Sequence, residues 1–196
     1  MRAVACLLLL AAWWAGSAVS AAELLWITAD ITPPARTAMV ERLAAAAGWQ
    51  VTHLDHPLQD TPAQASAQRE TLVQALARAD MVWIDAPHAS AYARLSALHG
   101  TALDAHVAAH PGRVAWIAPE SAGSPAQGAQ LAAYLRAGGE TNLRHAFMLA
   151  SAEIEGRALP ELPPPRPWPA RGLYHPDAEG FFDDAAALAA WQAGRP

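Results

Sequence analysis

Glu23-Leu24-Leu25-Trp26-Ile27-Thr28-Ala29-Asp30 is a short, nearly continuous apolar run rich in strand formers and closed by an aspartate. Such a run reads as a strand buried on both faces, the kind a parallel sheet needs. Beyond it the period changes. Thr32 stands where a helix cap belongs, Pro33 in the first turn, and Met39, Val40 and Leu43 at core-facing spacing. Gly48 then stops the helix ahead of a second strand, Trp49 to Leu54. That is one β-α-β unit, and the pattern repeats. The polar stretch Asp55 to Gln68 leads into a helix ending near Ala79, with Leu72, Val73 and Leu76 on one face. Met81 to Asp85 reads as the third strand, His88 to His110 as helix with a break at Gly100, and Arg113 to Ala118 as the fourth strand.

Strands that are apolar nearly throughout, alternating with helices, define an α/β domain over residues 23–158: a flavodoxin-like, doubly wound parallel sheet. Ala126 to Ala137 and Leu143 to Ser151 read as two further helices broken at Gly138-Gly139. From Leu159 the composition turns to proline, with Pro160, Pro163, Pro164, Pro165, Pro167 and Pro169, which excludes helix and central strand. Residues 159–196 are therefore expected as a proline-rich arm followed by a short helix, Ala185 to Gln192, capped by Asp183 or Asp184.

Residues 1–22 read as a cleavable export signal, and the chain as exported, into a periplasm. Arg2 supplies the positive end, Ala3 to Trp14 the apolar core, and Ala18 to Ala22 the small residues of a cleavage site. The apolar run is shorter than the ~20 residues of a membrane span. Cys6, the single cysteine, precedes most of that core, so it is badly placed for acylation, and the mature chain holds no disulfide, thiolate nucleophile or thiolate metal ligand. Every basic side chain other than histidine is arginine, which excludes a phosphate-loop or Schiff-base lysine. A formal net charge of -5 with no basic run argues against nucleic acid and anionic membranes as partners.

Ligands of open α/β sheets lie outside the carboxyl ends of the strands, which directs attention to Asp30, Asp55 with His56, Asp85 with His88, and Glu120. No glycine-rich loop follows these strands, so nothing cradles a phosphate. Asp30, Asp85 and His88 are candidate ligands for a divalent cation, with helix capping by the aspartates as the plainer explanation. His106 and His110 stand four apart on one helix face, a zinc spacing without an obvious third ligand, and two solvent-facing histidines explain it as well. Ser121 and Ser124 lack the G-x-S-x-G surroundings of a hydrolase nucleophile. Trp26, Trp49, Trp83 and Trp116, in or beside the strands, are expected in the core.

Two segments are more specific. Tyr134-Leu135-Arg136-Ala137-Gly138-Gly139-Glu140-Thr141-Asn142 places paired glycines at a helix end, and Gly172-Leu173-Tyr174-His175-Pro176 follows the proline arm. In this order, with the prolines between them and Trp191 beyond, they resemble the N-terminal region of the cobaltochelatase large subunit, the CobN family, which includes the magnesium chelatase H subunit. The resemblance implies a tetrapyrrole-metal role in cobalamin-type cofactor biosynthesis, with a corrinoid or porphyrin and Co²⁺ or Mg²⁺ as the groups handled. It implies as partners the remainder of the large subunit and ATP-hydrolysing subunits. Candidate ligand-binding residues are Tyr174, His175, Asn142, Gly138 and Gly139, with His175 also a candidate metal ligand; no catalytic residue is assigned. Because family members run on well beyond this point, the chain is expected to be a leading domain without activity of its own. Two other readings stand beside it: an exported module that binds a tetrapyrrole or metal and passes it to an envelope uptake component, and a ligand-free interaction domain that docks a partner through the proline arm.

Overall fold

The run at Glu23 becomes an interior strand of a four-stranded, all-parallel sheet. The computed structural model describes residues 21–29, 32–56, 62–86, 88–117, 128–167, 173–175, 178, 181–182 and 184–194. Strands β1 (Ala22–Ala29), β2 (Trp49–His56), β3 (Met81–Asp85) and β4 (Val114–Ile117) lie in the order β2-β1-β3-β4. Between and after them run α1 (Pro34–Ala46), α2 (Pro62–Leu76), α3 (Ala89–Ala109), α4 (Ala129–Ala137) and α5 (Gly139–Ile154). This is the strand order of the flavodoxin-like fold, as expected.

Period-two alternation sorts the strand side chains into two cores. Leu24, Trp26, Met81, Trp83, Ala115 and Ile117 pack under α1, α4 and α5. Leu25, Ile27, Val82, Ile84, Val114 and Trp116 pack under α2 and α3. The four strand tryptophans are all buried, the most exposed being Trp116 at 8%. Only β2 departs from an apolar strand. As an edge strand it carries Gln50, Thr52, His53 and Asp55 without burying them fully, because one side of it faces no neighbour.

Several boundaries differ from expectation. The cap of α1 is Pro33, not Thr32, since a residue before proline is driven out of the helical region and Pro34 follows it; Pro33 sits at φ -57°, ψ 133°. Helix α2 begins at Pro62, inside the stretch read as polar, and ends at Leu76. Its inner face is Leu72, Ala75 and Leu76, and Val73 is 52% exposed. Gly100 does not break α3. Its cost of about 1 kcal/mol relative to alanine is outweighed by a face that buries Ala91, Leu95, His99 and Leu103. Helix α5 starts at Gly139 rather than Leu143.

Gly128, ahead of α4, adopts φ +85°, and a Cβ there would lie 2.9 Å from the backbone carbonyl oxygen of Val114. A strand carbonyl cannot move aside. Gly128→Ala is therefore expected to destabilise by at least ~1 kcal/mol, from the left-handed backbone alone, with the clash in addition. A urea melt of the variant checks this.

The C-terminal part holds a two-stranded antiparallel ladder, β5 (Leu173–Tyr174) with β6 (Phe181–Phe182), and α6 (Ala185–Ala193). Asp184 caps α6, its Oδ1 accepting from the Ala187 amide at 2.8 Å. No helix among the described residues is long and apolar enough to cross a membrane. Residues 1–20 of the export signal expected over residues 1–22, together with Asp30, Glu120, Ser121, Ser124, Gly172, Pro176 and Asp183, lie outside the described residues.

Candidate functional site

At the carboxyl edge of the sheet, pairing sets Thr28 of β1 opposite Asp55 of β2 and Asp85 of β3. All three share the face covered by α1. The Thr28 hydroxyl donates to Asp55 Oδ1 at 3.1 Å and lies 2.9 Å from His53 Nε2. With its one proton given to Asp55, Thr28 accepts from His53, whose ring stacks on Trp26 at 4.5 Å. Asp85 is 8% exposed and meets a cation contributed by the next helix: Arg36 Nη2 lies 2.6 Å from its Oδ2. Arg36 was not among the sequence candidates. Its signal is positional, an arginine in the first turn of the helix that follows β1, beside a strand-end aspartate. His88 precedes α3 with extended backbone and an exposed side chain, and its carbonyl accepts from the Tyr92 amide.

Burial pushes the Asp85 carboxyl above its ordinary value, and Arg36 opposes that shift. A carboxyl whose pKa is raised by folding holds more protons in the native state, so its contribution to stability is greatest below the unfolded value near 3.8 and is lost as pH rises through the folded one. The Asp85 contribution is therefore expected to fall with rising pH immediately above that value, so the stability of the wild type relative to Asp85→Asn falls across that window. Paired urea melts across that window check it.

The histidine pair on α3 lies at the opposite end of the sheet. The His106 and His110 rings are 4.8 Å apart. Burial first, then the charges of His110 and Arg113, pushes the His106 pKa below its ordinary value. Among the described residues no group of three His, Cys, Asp or Glu is placed to hold a metal ion.

The glycine junction organises the second region. Gly138 and Gly139 have φ +63° and +74°, conformations open to glycine at little cost, and they turn the chain from α4 directly into α5. Asn142, one turn on and 5% exposed, donates from Nδ2 to the Gly138 carbonyl at 2.7 Å and to the Arg166 carbonyl at 2.8 Å. Its Oδ1 accepts from the Arg166 amide at 3.0 Å. Tyr134, fully buried, donates its hydroxyl to the Pro163 carbonyl. Glu140 ties α5 to α1 by accepting from Arg42 at 2.7 Å, and bonds from Arg42 and Arg144 hold its carboxyl below the usual range. The motif thus fastens the proline arm across the α4-α5 pair. Sequence reasoning picked out Tyr134, the glycines and Asn142 but not their partners Pro163 and Arg166, because backbone acceptors carry no residue signature.

Beyond the arm, His175 packs its ring against Trp191 of α6 at 4.9 Å, and Phe182 approaches the same indole at 5.3 Å. Tyr174 is placed by its backbone in β5, opposite Phe181. A groove of about 460 Å³ lies between α1, α5 and the start of the arm. Leu43, Ala46, Ala47, Phe147 and Met148 give it apolar walls, and Arg144 and Arg157 contribute the cations.

The fold and these two regions define a doubly wound α/β domain whose last helix pair carries a clamped, proline-rich extension. Residues 132–196, which span the junction, arm, hairpin and last helix, match the family described as CobN/Magnesium Chelatase. That segment, about a third of the chain, is what is similar to the CobN/magnesium chelatase family. No curated protein and no solved structure matches the chain.

Proposed function

We propose that the chain is a leading, scaffold-type domain of a CobN-like chelatase, taking part in metal insertion into a corrinoid or porphyrin during cobalamin-type cofactor synthesis. One observation carries this reading: Tyr134 and Asn142, inside the family-matched segment, fix the arm that runs on to His175. Here the metal ion and the tetrapyrrole are substrates. The domain's own share is to hold and present the Tyr174-His175 segment, while the remainder of a large subunit and ATP-hydrolysing partners supply the rest. A tetrapyrrole needs an apolar surface as large as its ring and cations for its carboxylates. The groove at Phe147 and Met148, with Arg144 and Arg157, has both chemistries.

A second reading keeps the tetrapyrrole or metal ligand and changes the setting. An exported module would carry it to an envelope partner, and Arg2 with the apolar run and Ala18 to Ala22 favours that setting.

Titration of the chain from Glu23 with a cobalt-free corrinoid and with a porphyrin, read by tryptophan fluorescence, tests the binding role. Saturable quenching is expected, weakened ~10-fold by His175→Ala if the hairpin is the contact and by Met148→Arg if the groove is. Absence of quenching at tens of micromolar, with the circular dichroism of a folded chain, removes the binding role. Fractionation of the expressed gene product separates the two settings.

A further inference from the structure

The strongest unassigned feature is the arm itself. Between Arg157 and Pro167 the chain forms neither helix nor strand, and prolines at 160, 163, 164, 165 and 167 fix φ near the polyproline value. A polyproline helix has three residues per turn and so presents three edges. From Leu162 onward exposure follows that period: Leu162 and Pro165 are partly buried, Leu162 packing against the core under α4 and α5, whereas Pro163, Pro164, Arg166 and Pro167 are exposed. Ahead of that stretch Pro160 is partly buried at the groove, and Leu159 and Glu161 are exposed. One edge of the prism lies on the body and two face outward.

The fastenings leave those outward edges untouched. At the start of the arm, Gly156 at φ +62° closes α5, with the Gly156 amide bonded to the Glu153 carbonyl and the Arg157 amide to the Ala152 carbonyl. Tyr134 then takes the Pro163 carbonyl, and Asn142 takes both backbone groups of Arg166. The two arm positions held this way are three residues apart, one polyproline turn. Every one of these bonds uses the arm's backbone, so its outward side chains stay available.

From this geometry we propose that the arm is a pre-ordered polyproline ligand for a partner protein, one whose groove is lined by aromatic side chains and carries a carboxylate opposite Arg166. Aromatic-lined grooves recognise polyproline segments through their ridges, and Pro164 and Pro167 supply a P-x-x-P ridge with an exposed arginine between them. The ordering cost that weakens binding of a flexible segment is already met by folding. Arg166 fixes the direction in which the segment is read, through a charge-assisted pair with the groove's acid. This inference stands apart from the chelatase reading, because it rests on the arm's exposure pattern and clamps alone.

The probe is a set of purified SH3 and WW domains, which are aromatic-groove receptors for polyproline, titrated into the folded chain from Glu23. At least one domain with an acidic groove is expected to bind saturably, at tens of micromolar. The double substitution Pro164→Ala with Pro167→Ala is expected to weaken it ~10-fold or more, and Arg166→Glu by a similar factor, while Met148→Arg and His175→Ala leave it unchanged. Asn142→Ala, which frees the arm without touching its outward side chains, is expected to weaken binding several-fold. No binding by any domain to a chain folded by circular dichroism overturns the proposal. So does binding that survives the double proline substitution, and affinity unchanged by Asn142→Ala overturns the pre-ordering.

Discussion

Trp83→Ala is expected to cost about 3–5 kcal/mol, enough to bring a domain of ordinary stability to the edge of unfolding at 25 °C. Trp83 stands in the middle of β3, 2% exposed, paired in register with Trp26 of β1 and Ala115 of β4. Its ring meets Phe147 of α5 at 4.7 Å, and Phe147 in turn lies 6.2 Å from Trp49. Removing the indole therefore opens a cavity at the point where the sheet and α5 join. The strands on either side are tied by ladder bonds and cannot close over it. A second substitution separates volume from polarity. The indole Nε1 of Trp83 is buried with no hydrogen-bond partner, so Trp83→Phe keeps most of the apolar contact and removes an unsatisfied donor. It is expected to cost less than ~1.5 kcal/mol. Urea melts of the two variants check both figures. Equal losses would mean that the indole N–H is bonded in solution.

Asn142→Ala is expected to lose about 2–4 kcal/mol and, more tellingly, to release the arm. Three hydrogen bonds disappear at once, and they leave the Arg166 amide and the Gly138 and Arg166 carbonyls without their partner in a partly buried setting. Asn142→Asp does no better, since it removes both Nδ2 donors and sets an anion where the site is 5% exposed. Hydrogen exchange is the discriminating measurement. The Arg166 amide should exchange far faster in Asn142→Ala, while the amides of β1 and β3 keep most of their protection. If core and arm lose protection together, the clamp is part of the global fold and not a local fastening. Tyr134→Phe removes one bond at Pro163 and should give the same pattern more weakly.

Period and punctuation carried most of the sheet into legibility. The runs at Glu23, Met81 and Arg113 are apolar because interior parallel strands are covered on both faces, and that requirement shows in any short window of residues. Val73 shows the limit. On a helical wheel it belongs with Leu72 and Leu76, yet it is 52% exposed, because the arc of α2 that touches the sheet is set by how the helix lies on its neighbours. Gly100 shows another. The local cost of a helical glycine is real, but burial on both sides of it decides the outcome.

Residue type and spacing specify the α/β class, the parallel sheet, the proline arm and the motifs at either end of it. Which residues meet is settled by the path of the backbone in space. Arg36 reaches Asp85 across 49 positions of chain because the crossover from β1 to β2 starts α1 at the carboxyl edge of the sheet, where the neighbouring strand β3 also ends. The arm lies where Tyr134 and Asn142 catch carbonyls and an amide that every residue possesses. Such contacts depend on where the backbone passes, and no one-dimensional pattern records that.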